Sequence, residues 1–336
     1  MRAQVLETFK QPYTFRTDIL PPPPPEGYEM LDRVLAASSC HVDAVFASGA
    51  MQQHLPRVGL HEFAGTVEAK LWARKPPRSP KPQDSLGASW GDEPGCGVWC
   101  PRAANLGLTR DGGFQEYCLV DVRQVARVLD SEGARMRAVD VAPLMSIAII
   151  DAAGGLGHLG VQFAAKLGWD VTAVDTTPAL VVLKDVVAEL GDDGRNVTVV
   201  DALNESVENI KKRPFGDAPQ GCEGEKACDA SLVLPDSQSA FDFGMGVLKS
   251  HGTCVCVSFP KDGWRFKPGG LVFRHIKLLG VLTGCNGQLQ AMVNFAVENG
   301  VRAKVRTYPL EKLNNLVEDY HHGVGGKVVV DMTLES

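Results

Sequence analysis

At 336 residues, with 44% apolar and 22% charged residues, the chain is long enough for two domains with a core each and has the balance of an ordinary globular protein. Its net charge of −6 is spread without long runs of one sign, and no apolar stretch approaches the ~20 residues of a membrane span, so nucleic acid and membrane are excluded as expected partners. Nine cysteines and an opening without a signal-peptide pattern point to a reducing, cytoplasmic setting with free thiols or metal ligands.

In chain order, the first third reads as short β-leaning runs, "RAQVLETF", "MLDRVLAAS", "FAGTVEA" and "FQEYCLV", broken by turns. The prolines at 21–25 are read as a rigid extended connector between two early strands. Residues 71–95 have no periodicity and are rich in Pro, Gly and charge, as a functional or irregular loop would be. From residue 146 the texture changes. The runs "SIAIIDAA", "WDVTAVD", "NVTVVDA", "DASLVL", "GTCVCVSF" and "IKLLGVLTG" read as buried strands. Between several of them lie the helical stretches "LGVQFAAKLG", "SVENIKKR" and "SAFDFGMGVLKS", and this alternation predicts βαβ units around a doubly wound parallel sheet. Two amphipathic helices, "LQAMVNFAVENG" and "LEKLNNLVEDYHHG", then lead to a closing strand, "KVVVDMTL". The expected fold class is therefore α/β, with a mainly-β domain before and after the parallel sheet.

The most informative stretch is "IAIIDAAGGLGHLGVQFAAKLGWDVTAVD". A strand runs into Gly155-Leu156-Gly157-His158-Leu159-Gly160, which is G-x-G-x-x-G, and a helix follows at once. The first glycine permits the turn and the second a close approach of the backbone to a pyrophosphate. The third allows tight helix–strand packing, and the helix N-terminus offers free N–H groups to phosphate. The second strand ends on Asp175, placed to accept hydrogen bonds from the adenine ribose and to repel a 2′-phosphate, so NAD(H) is the expected cofactor.

The segments "SSCHVD", "PRVGLHEFAGTV", "DGGFQEYCLVD", "VAPL", "AAGGLGHLGVQFAAKLG" and "GGKVVVD", in that order, resemble a zinc-dependent alcohol dehydrogenase of the medium-chain dehydrogenase/reductase superfamily, of the yeast and fungal type. The resemblance implies a GroES-like catalytic domain at 1–145, completed by 286–336, and a Rossmann NAD-binding domain at 146–285, with the active-site cleft between them. It places the catalytic zinc ligands at Cys40 and His61, the neighbouring acid at Glu62, and at Asp43 the acid that orients a ligand histidine. His41 and Lys327 fall where the family sets cations near the pyrophosphate, and Val257, Leu282 and Thr283 fall near the nicotinamide. It also implies an alcohol or carbonyl substrate and a homodimer or homotetramer.

The chain departs from the pattern at three places. The third ligand, a cysteine that the family pattern sets just after "APL", is missing with the segment that follows it, and Ser146, a poor zinc ligand beside a thiolate, stands near its place, which leaves Glu62 as a candidate third ligand. The lobe that carries four cysteines in the family keeps Cys96 and Cys100, so a structural zinc is not expected. Val42 stands where a Thr or Ser hydroxyl relays the alcohol proton. These departures keep two other readings open: a zinc-independent enoyl or quinone reductase of the same superfamily, and a catalytically impaired NAD-binding protein.

Overall fold

Alternating apolar and polar residues in the first third build antiparallel strands with one face in a core, and the valine-rich runs after residue 149 build parallel strands, with Val171, Ala173, Val174, Val200 and Val233 buried. The computed structural model describes residues 1–26, 29–51, 54–70, 104–122, 125, 149–211, 228–284, 286–323 and 326–334. The chain divides into two units, Met1–Met145 with Thr283–Ser336, and Ser146–Leu282.

In the first unit β1 (Ala3–Leu6) pairs with β2 (Thr14–Arg16) and β4 (Arg57–Val58). A five-stranded sheet is centred on β3 (Glu29–Ser38), which pairs antiparallel with β5 (Phe63–Lys70), β6 (Tyr117–Asp121) and β13 (Lys327–Asp331), while β12 (Val305–Tyr308) lies parallel to β13. The short helix α1 (His41–Ala47) follows β3 directly and buries Phe46 in the core of this unit. Leu313 and Leu316 of the late helix α8 (Leu313–His321) and Val328 and Val330 of β13 pack into the same core, so the chain's last segment completes its first domain. Helix α7 (Asn286–Asn299) precedes them.

The second unit holds a parallel sheet. Its strands are β7 (Val171–Asp175), β8 (Val197–Asp201), β9 (Cys228–Val233), β10 (Leu248–Cys256) and β11 (Lys277–Gly280), with helices α2 (Gly157–Lys166), α3 (Leu180–Glu189), α4 (Val207–Lys211), α5 (Gln238–Val247) and α6 (Pro268–Arg274) between them. Ile150 bridges Val174 of β7 and Val233 of β9, both in parallel, and so joins β8–β7 to β9–β10–β11. Ile150 precedes these strands in the chain and is central among them in space. Strand order reverses around it, which makes its carboxyl side the switch point at which such sheets bind ligands.

Helices α1 and α3 and strand β12 are among the elements that go beyond the sequence reading. Helix α3, "LVVLKDVVAE", is rich in β-branched valine, which on propensity alone favours a strand; Leu183 and Val186, both buried, hold it as a helix against the sheet. Helix α1 is too short to show a period, and β12 is a four-residue strand made by pairing with β13. Among the described residues no helix is long and apolar enough to cross a membrane.

Candidate active site

The first cluster is assembled from two turns of the first unit. Cys40 follows β3 in an extended conformation (φ −133°, ψ 177°) and caps α1, and its backbone N–H donates to Asp43 Oδ2 at 2.8 Å. That bond fixes Asp43 on the first turn of the helix, facing back over Cys40. His61 and Glu62 lie on the approach to β5, just after Leu60, whose φ is +83°. A loop that includes "DGG" clasps this bend. Gly113 N–H donates to Leu60 O at 3.1 Å, and a Cβ on Gly112 would lie 1.7 Å from that same oxygen. Only a glycine fits at Gly112, and the clasp sets the direction in which His61 leaves the backbone.

The result is a convergent set of donors. His61 Nε2 is 3.6 Å from Cys40 Sγ, and His61 Nδ1 is 3.6 Å from Asp43 Oδ1. Donor atoms of Cys40, His61 and Glu62 all lie within 4.8 Å of one another. Glu62 is 4% exposed and accepts from Lys327 Nζ at 2.6 Å; the ammonium is 3% exposed and also donates to Ser39 O at 3.4 Å. Burial works most strongly against a charged lysine, but the charges of Glu62, Cys40 and Asp43 and the hydrogen bond to Glu62 together hold the Lys327 ammonium above its usual range. Burial, reinforced by the charges of Asp43 and Glu62, pushes the Cys40 thiol up, so in the absence of a cation it keeps its proton.

The second cluster lies at the switch point of the parallel sheet. Asp175 ends β7, where its Oδ2 accepts from Ala153 N–H at 2.8 Å and its Oδ1 from Thr176 N–H at 2.7 Å. Gly157 opens α2 against the strand; a Cβ there would stand 1.9 Å from Asp151 O. His158, Leu159 and Gly160 are buried in the helix–sheet contact, with His158 Nδ1 2.7 Å from Gly154 O. Gly155 and Leu156 stay half-buried at the turn. Val257 follows β10, with its N–H donating to Val233 O at 3.1 Å, and Leu282 and Thr283 follow β11, both exposed. The side chain of His41 and the whole of Cys96, Cys100 and Ser146 lie outside the described residues.

Sequence reading alone missed two features of this geometry. The Glu62–Lys327 pair joins positions 265 residues apart, and no local pattern announces it. Asp151, directly before the glycine loop, has φ +74°; an acid in "IIDAAGG" at the strand end was the available signal.

A family model described as "Alcohol dehydrogenase GroES-like domain" matches residues 26–130, and one described as "Zinc-binding dehydrogenase" matches residues 155–298. The chain is similar to an alcohol dehydrogenase of Geobacillus stearothermophilus, with 27% identity over 98% of this chain and 99% of that one. An alcohol dehydrogenase of Moraxella sp. (strain TAE123) is 26% identical over 99% and 100%. Among solved structures, the alcohol dehydrogenase of Aeropyrum pernix superposes with a TM-score of 0.78 at 22% identity, over 98% of this chain and 100% of that one. The chain belongs to the zinc-type alcohol dehydrogenases.

Membership in the zinc-type alcohol dehydrogenases makes the chain an oxidoreductase with the expected GroES-like and NAD-binding domains. Its first cluster fits a zinc ion on the chemistry of its donors: a thiol, an imidazole and a carboxylate are all zinc ligands, and three protein ligands leave a fourth position for substrate. The buried His61 Nδ1 has no hydrogen bond among the described residues, and its nearest partner, Asp43, is the kind of acid that holds a metal-bound imidazole in one tautomer.

Proposed function

We propose that this alcohol dehydrogenase-like enzyme transfers hydride between an alcohol and NAD, with Cys40, His61 and Glu62 as zinc ligands. The observation that carries the reading is the convergence of those three donors, with Asp43 behind His61. Bound zinc would polarise the substrate oxygen and lower the pKa of the alcohol. Asp43 positions both partners, because it takes the Cys40 N–H and faces His61 Nδ1. Lys327 balances the charge of Glu62 and holds one of its oxygens; with His41 it is also assigned to the pyrophosphate side, as the family pattern implies. NAD would supply the hydride acceptor. Gly155 to Gly160 and the N-terminus of α2 are its pyrophosphate cradle, and Asp175 takes the adenine ribose. Val257, Leu282 and Thr283, which follow the carboxyl ends of β10 and β11, are assigned to the nicotinamide. The GroES-like domain is assigned to residues 1–145 with 286–336, and the Rossmann domain to 146–285. The setting is cytoplasmic. Zinc analysis of the purified protein, together with NAD-linked oxidation of a panel of primary and secondary alcohols, tests the reading. About one zinc per chain with NAD-linked turnover supports it, and enone reduction by a metal-free protein overturns it.

The half-buried Val42 of α1 offers no hydroxyl to carry the substrate proton away. Val42→Thr restores one at nearly constant volume. Its kcat for alcohol oxidation is expected to rise by roughly 10²-fold, the lower end of the range for a positioned proton-transfer group. An unchanged kcat in zinc-loaded protein would remove the relay from the account.

The homo-oligomer implied by the family is assigned to β11, the last strand in the sheet order. Leu279, Val281 and Leu282 are about half exposed there, and Phe273 of α6 is 90% exposed. An apolar sheet edge of this kind invites a second copy. Leu279→Lys is expected to reduce the solution mass, measured by light scattering on a sizing column, to that of the monomer.

A further inference from the structure

Asp151 follows the bridging Ile150 and leads into the glycine loop, in backbone territory (φ +74°) that glycine enters without strain and that aspartate tolerates less readily. Its side chain lies against the loop itself: a Cβ on Gly154 would stand 2.1 Å from Asp151 Oδ2. Asp175, at the end of the neighbouring β7, is the charged group that acts on it. At the start of α2, His158 directs its Nδ1 to Gly154 O. Among the described residues neither a cation nor a hydrogen-bond donor reaches the Asp151 carboxylate.

The two acids are unequal. Asp175 receives two backbone N–H groups, from Ala153 and Thr176. Asp151 receives none, and burial together with the charge of Asp175 pushes its carboxyl up to about 7. The doubly charged pyrophosphate of a dinucleotide would add further negative charge at the N-terminus of α2, beside the same loop.

We propose that Asp151 is a further determinant of dinucleotide affinity in this loop: NAD(H) binds the form in which Asp151 is protonated, and the ionised form is repelled. This rests on the reading of residues 150–175 as the cofactor site. A proton from solvent is therefore taken up on binding whenever Asp151 starts ionised. Because the bound pyrophosphate disfavours the carboxylate, affinity is highest below the range in which free Asp151 ionises and declines as pH rises through it. Each further unit by which the complex raises that carboxyl corresponds to a tenfold range in Kd.

The test is fluorescence titration of the full-length protein with NADH, from about pH 6 to about pH 8.5, on the unmodified enzyme, Asp151→Asn, Asp151→Gly and Asp175→Ala. Asparagine and glycine both accept the left-handed backbone, and a thermal melt followed by circular dichroism confirms that each variant is folded. The Kd of the unmodified enzyme is expected to rise about tenfold across this range, whereas Asp151→Asn and Asp151→Gly stay nearly flat and bind about tenfold more tightly than it at the alkaline end. Parallel pH profiles for the unmodified enzyme and Asp151→Asn, or weaker binding by Asp151→Asn at every pH, would overturn the role of Asp151 while leaving the cofactor site standing, provided that Asp175→Ala still loses affinity. Absence of NADH binding by every folded protein at every pH would overturn the cofactor site and this proposal together.

Discussion

Cys40→Ser is expected to take zinc content from about one per chain to near zero and to lower NAD-linked alcohol oxidation by roughly 10³-fold, the several kcal/mol that Lewis-acid polarisation supplies. Serine is nearly isosteric but stays a neutral hydroxyl, a weak zinc ligand where a thiolate is a strong one. The backbone bond from residue 40 to Asp43 does not involve the side chain and survives the change, so α1 stays capped. Elemental analysis and a rate measurement on the same preparation read both effects. Cys118→Ser is the control: that thiol is buried on β6, away from His61 and Glu62 in the donor set, and its loss should leave zinc unchanged. If Cys40→Ser kept its zinc, or lost it without loss of rate, the assignment of Cys40 as a ligand would fall.

The second large effect concerns the buried ion pair. Lys327→Met removes the counter-charge of Glu62 and leaves a carboxylate with 4% exposure beside an apolar side chain. Breaking a buried pair from one side costs about 3–5 kcal/mol, because the remaining charge has lost both water and partner. Urea denaturation of the zinc-free protein should show a loss of that size, with an unchanged m-value. The double variant Lys327→Met with Glu62→Gln should recover most of it, since no unpaired charge then remains. Zinc gives the direction a further check. If Glu62 is a ligand, adding the metal supplies a cation and should shrink the loss in the single variant while leaving the double variant nearly unmoved. Equal losses with and without zinc would take Glu62 out of the ligand set and leave it as an ion-pair partner alone.

The parallel sheet was legible because its strands are continuous apolar runs, "VTAVD" and "VTVVD" among them, and such runs keep their conformation in any register of a buried sheet. The glycine loop was legible for a related reason: a backbone that must approach another backbone closely can use only glycine, so the constraint is written in residue type. Helices α1 and α3 were not legible. The first has seven residues, too few to reveal a period, and the second carries valines that on propensity favour a strand. In both, the burial of side chains such as Phe46 and Leu183 against a neighbouring element decides the conformation.

Residue types along the chain by themselves determined the glycine loop, the acid Asp175 at the end of the following strand, and Cys40 and His61 as a pair of metal-ligand types in family order. Tertiary structure alone decided how those groups are used. It set Asp43 against both Cys40 and His61, brought Glu62 within reach of the same point, and bound Glu62 to a lysine 265 residues away. It also placed Asp151 beside Asp175 and gave the two acids unequal shares of the loop's N–H groups. The physical reason is common to all of these. A residue's type fixes which charge or donor it can offer, whereas its proton, its partner and its strength as a ligand depend on which other charges and dipoles are folded to within a few ångströms of it.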